Sequence, residues 1–337
     1  MSILVTGGAG YIGSHVCVEL LSKGEDVVVV DNLSNSSADS IKRLEEYTGK
    51  KVTFIEGDVR DICILRRVFE NNEIDAVMHF AALKAVGESV KEPLVYYENN
   101  VAGTITLLRI MEEFNCFNLV FSSSATVYGD PEKVPITEEA STGGCTNPYG
   151  KTKFMMEEIL RDIQAAKPEW NITLLRYFNP IGAHPSGVIG ENPNGTPNNL
   201  MPYITKVACG VQPCLFVFGD DYPTPDGTGI RDYIHVVDLA RAHVMALKKL
   251  RGQAGLHVFN LGTGRGVSVL ELVRTFERVN KIKIPYVISG RRAGVIAECF
   301  CDASKAQAEL GWRAELSVED MCRDAWNWEK NLQRGKI

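Results

Sequence analysis

The sequence predicts an α/β protein built on a doubly wound parallel sheet, with a smaller C-terminal α/β lobe. Short β-branched runs alternate with longer stretches of helical periodicity in the first half, which is typical of a parallel sheet covered by helices on both faces. After about residue 180 the chain changes to loops rich in Pro, Gly and Asn. At roughly 150 residues per domain, a chain of 337 residues has room for two such units. We expect domains over residues 1–180 and 181–337, with some later segments returning to the first domain.

Each element of this fold has its own signal. Turn residues bound six apolar runs that we predict as strands: Ile3–Thr6, Val27–Asp31, Val52–Ile55, Ile74–Ala81, Leu119–Ser124 and Ile172–Tyr177. Helical periodicity predicts helices over Ser14–Lys23, Thr104–Phe114, and residues 236–250, 268–279 and 317–333. Irregular segments as long as Asn179–Pro202 and Gly219–Gly229 are usually functional in compact proteins.

Composition excludes several classes of protein. The net charge of -6 argues against a nucleic-acid or anionic-membrane surface, because such surfaces need clustered Lys and Arg. No apolar run approaches the roughly 20 residues that span a bilayer, and Met1 leads into a strand without a secretory leader. Nine scattered cysteines, an odd number without C-x-x-C pairs, indicate reduced thiols. We therefore expect a cytoplasmic protein.

A glycine-rich turn follows the first predicted strand. In the segment Thr6–Gly13, glycines at 7, 10 and 13 allow a tight turn and a close approach of the backbone to a pyrophosphate at a helix N-terminus. Asp31 ends the second strand, 18 residues after Gly13, where a carboxylate can accept both hydroxyls of an adenosine ribose. Asn32 and Leu33 follow it, and neither is an Arg that would balance a 2'-phosphate. The pattern predicts a Rossmann domain that binds NAD rather than NADP.

A tyrosine and a lysine occupy positions i and i+4 of a predicted helix. Asn147 is a suitable N-cap for that helix and Pro148 a suitable first residue. Tyr149 and Lys153 then share one helix face, where an ammonium beside a phenol favours the phenolate and makes the tyrosine a usable base. Ser124 lies at the carboxyl end of the fifth strand, the edge at which open α/β sheets bind ligands. We predict these three as catalytic residues.

Two arginines are candidates for anion binding. An acidic protein that binds a diphosphate needs forked cations, and Arg231 and Arg292 lie in the long C-terminal segments. Cys299 and Cys301 are the only close cysteine pair, and they have no His nearby. We expect no metal site.

Together the glycine turn, Ser124, Tyr149, Lys153 and the long C-terminal loops resemble the extended short-chain dehydrogenase/reductases. The likeness extends over nearly the whole chain to the UDP-glucose (UDP-galactose) 4-epimerases of that group, in stretches such as residues 122–129, 147–153, 176–185, 198–202 and 226–238. By this resemblance the substrate-binding residues are Ser124, Tyr149, Asn179, Asn199, Leu200, Phe218, Arg231, Arg292 and Cys299. The cofactor-binding residues are Gly7, Gly10, Tyr11, Ile12, Gly13, Asp31, Asn32, Asn35, Ser36, Asp58, Val59, Phe80, Ala81, Lys84, Asn99, Ser122, Tyr149, Lys153 and Phe178.

The resemblance also implies a reaction. Tightly held NAD is recycled within each turnover: Tyr149, as phenolate, takes the proton of the sugar 4'-hydroxyl while hydride leaves C4'. Lys153 lowers the tyrosine pKa and holds the cofactor ribose, and Ser124 hydrogen-bonds the reacting oxygen. A 4-keto sugar turns in the pocket and takes the hydride back on its other face. Family members are homodimers, which implies an interface of helices near residues 100–115 and 150–166.

Two positions depart from the family pattern. Val295 stands where the family commonly has Asp, which puts contacts to the uridine ribose near this position in doubt. Cys299 stands where several bacterial members carry Tyr, and members with a small residue there also accept UDP-GlcNAc and UDP-GalNAc. A thiol leaves room for an acetamido group that a phenol ring would crowd, since overpacking costs about 1–3 kcal/mol. We expect a dual-specificity enzyme, unless Cys299 is only a small buried residue.

Three alternatives remain open from the sequence. A nucleotide-sugar 4,6-dehydratase would share the fold and the Tyr-Lys pair, but that family has acidic residues where Ala125 and Thr126 stand. An NAD-dependent sugar-nucleotide dehydrogenase would show net redox change. A non-catalytic dinucleotide sensor would bind NAD without turnover.

Overall fold

The protein is represented by a computed structural model, which describes residues 1–195, 197, 199–291 and 296–335. Its strands are β1 Ser2–Thr6, β2 Asp26–Asp31, β3 Thr53–Glu56, β4 Ile74–His79, β5 Asn118–Ser122, β6 Asn171–Tyr177, β7 Asn179–Ile181, β8 Leu215–Phe218, β9 Ile230–His235, β10 Gly255–Leu261, β11 Gly266–Ser268, β12 Tyr286–Ser289 and β13 Glu298–Cys299. Its α-helices are α1 Tyr11–Ser22, α2 Asp39–Thr48, α3 Ile62–Asn71, α4 Val86–Lys91, α5 Pro93–Tyr96, α6 Gly103–Glu113, α7 Pro148–Ala166, α8 Leu200–Ala208, α9 Val236–Gly252, α10 Val269–Asn280, α11 Ser304–Leu310 and α12 Val318–Gln333.

A seven-stranded sheet forms the centre of the molecule. Its order is β10-β6-β5-β4-β1-β2-β3, and every neighbouring pair is parallel. Successive side chains of one strand enter different cores: Ile3 and Val5 pack with α1 and α9 on one face, and Leu4 packs with α3, α6 and α7 on the other. The predicted doubly wound α/β fold is confirmed.

The C-terminal lobe has smaller sheets and its own core. Strand β9 lies between antiparallel β11 and parallel β13 and also pairs with β7, while β8 pairs with β12. Apolar residues of α8, α10 and α12, among them Ile204, Phe276 and Met321, fill the core beneath these strands. Strand β10 lies beyond residue 181 yet pairs with β6 in the large sheet. The division at residues 180/181 remains our proposal for the domain organisation.

Two strands end earlier than predicted, and both ends border the candidate site. Strand β4 ends at His79 rather than Ala81, because the chain turns there across the glycine turn, with the Phe80 N–H donating to the Thr6 carbonyl at 2.9 Å. Strand β5 ends at Ser122 rather than Ser124, which instead caps a 3₁₀ turn over Ala125–Tyr128. The chain thus leaves the sheet where its carboxyl edge opens to ligands.

Two further features concern the setting of the protein. In the described ranges, no helix has the length and apolar character needed to cross a membrane. All nine cysteines are free thiols.

Candidate active site

The glycine turn after β1 cannot carry side chains at two positions. Gly7 has a φ of +73°, and a Cβ there would stand 2.7 Å from the Ala81 amide nitrogen. A Cβ on Gly13 would stand 2.3 Å from the Gly7 carbonyl oxygen. The absence of Cβ atoms brings β1, the start of α1 and the end of β4 into contact, and the N-terminus of α1 faces the space above. This cradle fits the pyrophosphate of a dinucleotide.

Asp31 is held by three donors at the end of β2. One carboxylate oxygen accepts from the Ala9 N–H at 3.0 Å, and the other accepts from the Leu33 N–H and the Ser36 hydroxyl, both at 2.9 Å. The carboxylate is buried but lies at the sheet edge. Because each carboxylate oxygen has two lone-pair sites, the oxygen that accepts from Ala9 keeps acceptor capacity for one ribose hydroxyl.

The neighbouring cofactor candidates form a hydrogen-bonded loop beside Asp31. Asn32 donates to Asp58 at 2.9 Å, and hydrogen bonds from Arg60 lower the pKa of Asp58 below its usual range. Asn35 accepts from the backbone N–H of Asn194, which links this loop to the C-terminal segments. Val59 is buried beneath the loop.

Other cofactor candidates lie on the opposite side of the glycine turn. Lys84 lies 5.8 Å from the Tyr11 ring centroid and pairs with Glu191 at 3.0 Å. The Tyr11 hydroxyl donates to the Gly182 carbonyl at 2.7 Å. Among the remaining predicted cofactor residues, Gly10 and Ile12 lie at the start of α1, and Asn99 lies between α5 and α6. The others lie at or directly after the ends of β4, β5 and β6: Phe80, Ala81, Ser122 and Phe178.

Ser124 and Tyr149 come together above the end of β5. Ser124 accepts from the Thr126 N–H at 3.2 Å and from the Thr126 hydroxyl at 3.0 Å. Because both lone pairs of the Ser124 oxygen are then occupied, its own proton is left to donate to the Tyr149 oxygen, and this hydrogen bond lowers the pKa of Tyr149. Asn147 and Pro148 begin α7 as predicted, with Asn147 accepting from the Gly150 N–H at 2.9 Å.

Lys153 is buried one turn further along α7. Its ammonium donates to the Ser122 carbonyl at 2.6 Å and lies 5.0 Å from the Phe121 ring centroid. Burial lowers the pKa of Lys153 to about 7, while the carboxylate of Glu157 acts to raise it. Ser124, Tyr149 and Lys153 are therefore assembled on one edge of the sheet, as predicted.

The pKa of Tyr149 differs from the sequence expectation. Burial is the largest influence and raises the tyrosine pKa, and the hydrogen bond from Ser124 opposes it without cancelling it. Lys153 does not offset the effect of burial, because its ammonium is directed to the Ser122 carbonyl. The phenol is therefore favoured in the protein by itself.

A buried polar network supports the sheet edge below these groups. Thr104 donates to the Asn100 carbonyl at 2.6 Å, so its oxygen accepts from His79 Nε2, and His79 Nδ1 accepts from Thr6 at 2.6 Å. Burial lowers the pKa of His79 to about 3. His79 is therefore neutral at physiological pH.

The predicted substrate residues lie on separate segments of the lobe. Asn179 begins β7, Leu200 begins α8, and Phe218 ends β8. Asn199 precedes α8 and donates to Glu191 at 3.0 Å, the same carboxylate oxygen that pairs with Lys84.

The guanidinium of Arg231, which the sequence predicts as an anion-binding group, already has hydrogen-bond partners within the protein. It donates to the backbone carbonyls of Ile230 at 2.7 Å, Ile296 at 3.0 Å and Ala297 at 3.4 Å. Its positive charge has no carboxylate partner among the residues that the structure describes. Arg292 and Val295, for which the sequence makes specific predictions, lie outside the described residues.

Cys299 lies beside the segment that follows Ser124. It belongs to β13, opposite Arg231 of β9, and packs against a buried cluster that includes Ala125, Val127 and Phe178. Burial raises the pKa of its thiol to about 11, so the side chain acts as a small neutral group.

Four residues with contacts in the site received no role from the sequence. Thr126 orients Ser124, and the buried Tyr177 hydroxyl shares a hydrogen bond with Ser122. Glu191 joins Lys84 to Asn199, and Glu157 contacts the end of β5 through Ser123. Only Glu157 had a usable signal, since it follows Lys153 by four residues on the same helix face. In the described part of the chain, no three His, Cys, Asp or Glu side chains are grouped so as to hold a metal ion.

Comparison with known proteins gives a consistent picture. The model of the NAD dependent epimerase/dehydratase family matches residues 3–262. The chain is 59% identical over 335 residues to a UDP-glucose 4-epimerase of Pasteurella multocida, which covers 99% of both chains. The UDP-glucose 4-epimerase of Bifidobacterium longum, solved in complex with NAD+ and UDP, is 54% identical, has a TM-score of 0.97, and matches over 99% of this chain and all of that one. The UDP-Glc/GlcNAc 4-epimerase of Campylobacter jejuni is 38% identical, with a TM-score of 0.84 over 98% and 99% of the two chains.

These matches agree with the geometry of the glycine turn and Asp31. NAD is confirmed as the cofactor. The chain belongs to the NAD dependent epimerase/dehydratase family.

Proposed function

We propose that the protein is a UDP-glucose 4-epimerase that interconverts UDP-glucose and UDP-galactose with tightly held, recycled NAD. The assembly of Ser124, Tyr149 and Lys153 beside the glycine turn carries this proposal. Relatives more than 50% identical over nearly the whole chain support it. The three residues provide proton transfer at one edge of a dinucleotide site, which is what reversible oxidation of a sugar hydroxyl requires.

Each catalytic side chain has a task in this reaction. Tyr149 accepts the proton of the sugar 4'-hydroxyl and later returns it, while the Ser124 hydroxyl stabilises the phenolate by donating to it. Lys153 supplies positive charge behind them and binds the cofactor ribose. NAD, when bound, would supply the hydride acceptor for C4' and the hydride donor for the other face of the 4-keto sugar. Its positive charge favours the phenolate and so compensates for the burial that raises the tyrosine pKa.

The two parts of the substrate need different contacts. A keto sugar that turns in its pocket must be held through its UDP part, so the lobe residues provide affinity there. We assign this role to Asn179, Asn199, Leu200, Phe218, Arg231 and Arg292. The carbonyl contacts of Arg231 place its guanidinium at the β9–β13 pair, where Cys299 also lies.

We propose further that the enzyme accepts UDP-GlcNAc and UDP-GalNAc. A thiol at position 299 leaves space next to Ala125 and Phe178 that a larger side chain would fill. The Campylobacter jejuni relative, described as a UDP-Glc/GlcNAc 4-epimerase, supports this breadth within the same fold.

Two paired assays test both proposals. Purified protein without added NAD is incubated with UDP-glucose and separately with UDP-GlcNAc, and the sugar epimers are measured by NMR. We expect UDP-galactose and UDP-GalNAc, with no accumulation of NADH. Loss of water from the sugar would identify a dehydratase, stoichiometric NADH a dehydrogenase, and NAD binding without turnover a sensor.

The Cys299→Tyr variant tests the acetylated substrates specifically. We expect it to lose activity on UDP-GlcNAc by about 5- to 150-fold and to keep activity on UDP-glucose, since filling the pocket costs about 1–3 kcal/mol. Cys63→Tyr, which adds the same ring at an exposed site, is the matched control. Equal retention of both activities in Cys299→Tyr contradicts the assignment of Cys299.

We also propose a homodimer in the cytoplasm. Exposed apolar side chains lie on α4, α5 and α7, including Val90, Leu94 and Met155, with Leu94 81% exposed. Apolar area of this kind favours a subunit interface, and α7 lies within the region expected from the resemblance. Light scattering coupled to size-exclusion chromatography should give twice the mass of one chain. The Leu94→Asp substitution should shift the measured mass towards that of the monomer.

A further inference from the structure

A buried carboxylate lies behind the catalytic residues. Glu157 is on α7, one turn beyond Lys153, and its side chain is 1% exposed. It accepts the Ser123 hydroxyl at 2.5 Å and two donors of Arg176 at 2.5 and 2.9 Å. A buried charge of this kind is tolerated only when it is paired and hydrogen-bonded, and here both conditions are met.

The partners of Glu157 reach both ends of the segment that carries Ser124. Ser123 precedes Ser124 directly and is fully buried. At the other end, Arg176 donates to the Tyr128 hydroxyl at 3.0 Å, and Tyr128 in turn donates to Asn260 at 2.7 Å. The chain between Ser123 and Tyr128 is therefore fastened at each end through one carboxylate and its guanidinium partner.

We propose that Glu157 is a positioning residue for the epimerisation proposed above, which fixes the Ser124 segment against the helix that carries Tyr149 and Lys153. The proposal rests on the proposed function only in the choice of reaction. Its structural content is that one carboxylate on α7 sets the distance between a strand end and a helix face. A shift of about 1 Å in such a constellation is enough to cost two orders of magnitude in rate.

The negative charge of Glu157 also acts on the ammonium of Lys153. The groups that act on the ammonium are Glu157 from α7, the Ser122 carbonyl and the Phe121 ring from β5, and His79 from β4. His79 is neutral and adds no positive charge beside Lys153, and the carboxylate of Glu157 opposes burial by raising the pKa of Lys153. Arg176 neutralises part of this charge without removing it.

If the Glu157–Arg176 ion pair had a purely structural role, different results would be expected. It would affect stability, and its loss would lower the amount of folded enzyme without changing the properties of the folded fraction. A positioning role predicts a fall in kcat per folded active site, with KM for UDP-glucose nearly constant. It also predicts a change in the pH profile when the charge is removed.

The first test removes only the contact to the strand end. Ser123→Ala keeps the Glu157–Arg176 pair intact, and we expect kcat for UDP-glucose to fall at least about tenfold while KM changes less than about threefold. Thr173→Val is the matched control, because Thr173 is buried in the adjacent strand β6 and its hydroxyl has no hydrogen-bond partner. We expect wild-type kcat from this control.

The second test changes the charge. In Glu157→Gln the alkaline limb of the kcat profile should move to lower pH by about one unit, because Lys153 loses the carboxylate that raises its pKa. Glu157→Asp restores the charge and should return the limb towards the wild-type position. In Ser123→Ala the limb should stay in place.

The outcomes distinguish a failure of the proposed function from a failure of the positioning role of Glu157. Wild-type holoenzyme that does not convert UDP-glucose contradicts the proposed function and leaves the contacts of Glu157 unchanged. Active wild-type enzyme with wild-type kcat in folded Ser123→Ala overturns the positioning role. If Glu157→Gln does not fold, Ser123→Ala and Glu157→Asp still decide the question.

Discussion

The cofactor side and the substrate side of the site are built in different ways. On the cofactor side, short backbone contacts fix the geometry: Gly7 lies against Ala81, and Asp31 accepts from Ala9. On the substrate side, Asn179 begins the short strand β7 and Asn199 directly precedes α8, so the two residues lie on separate segments of the lobe. The cofactor side is therefore preorganised by contacts within one sheet edge, and the substrate side is assembled from side chains on several separate elements. This contrast suits an enzyme that keeps its cofactor and lets its sugar turn.

The largest effect is expected from breaking the backbone contact at Gly13. A Cβ in Gly13→Ala would lie 2.3 Å from the Gly7 carbonyl oxygen, so the turn must open. We expect a loss of about 3 kcal/mol in unfolding free energy and no NAD in the purified protein. Gly87→Ala in α4 is the control, since a Cβ there meets nothing within 4 Å. Retention of NAD in Gly13→Ala would show that the cofactor side is not as rigid as we infer.

The next largest effect is expected from Tyr149, the proposed proton acceptor between the cofactor side and the substrate side. Tyr149→Phe removes the proton acceptor but keeps the ring, and we expect kcat to fall about 10³-fold with NAD still bound. Rates with UDP-glucose and the NAD content of the protein check this. Tyr47→Phe, at an exposed position, should be unchanged. A decrease of less than tenfold would remove Tyr149 from its assigned role.

On the cofactor side, the buried His79 should make the free energy of unfolding depend on pH. The pKa of His79 is about 3 in the folded protein and about 6.5 in the unfolded chain, so the unfolded chain takes up the proton first as the pH falls. The stabilisation by neutral His79 is present above pH 6.5 and is lost towards pH 3, at about 1.4 kcal/mol per pH unit.

Urea unfolding between pH 7 and 5 measures this slope. Averaged over this range, the slope in His79→Gln should be smaller than in the wild type by about 1 kcal/mol per pH unit, because the unfolded histidine titrates within the range. Parallel slopes for the two proteins would contradict the burial of a neutral histidine at the end of β4.

The smallest effect is expected on the substrate side. Asn179→Ala removes one amide from the proposed substrate-binding residues, and the loss of one hydrogen bond corresponds to about a three- to tenfold rise in KM for UDP-glucose. Steady-state kinetics should show kcat within about twofold of the wild type. A large fall in kcat would instead place Asn179 in the proton-transfer machinery.

Much of the cofactor side was predictable because its determinants are local. The glycine spacing and Asp31 indicated NAD, and Asn147 and Pro148 marked the start of the catalytic helix. The ends of β4 and β5 were each placed two residues too late, since apolar periodicity does not show where a chain leaves a sheet. Such ends depend on contacts made by distant segments.

The polar support of the site was not predictable in the same way. Glu157, Arg176 and Tyr128 meet only after β5, β6 and α7 have packed, and their separations in sequence range from 19 to 48 residues. Arg231 was predicted as a diphosphate ligand, but its guanidinium also makes three contacts to backbone carbonyls. Sequence patterns give residue types near a site but not their hydrogen-bond partners.

Strand β10 has a consequence for how the protein is made. It covers β6 over seven residue pairs, from Gly255 against Asn171 to Leu261 against Tyr177. A nascent chain that has emerged only through β6 therefore presents an open strand edge, and unpaired edges invite association with other chains. Most of the lobe must therefore be synthesised before β10 can complete the central sheet. A gene fragment encoding residues 1–180 should accordingly yield aggregated material, whereas one encoding residues 1–262 retains the strand that covers this edge.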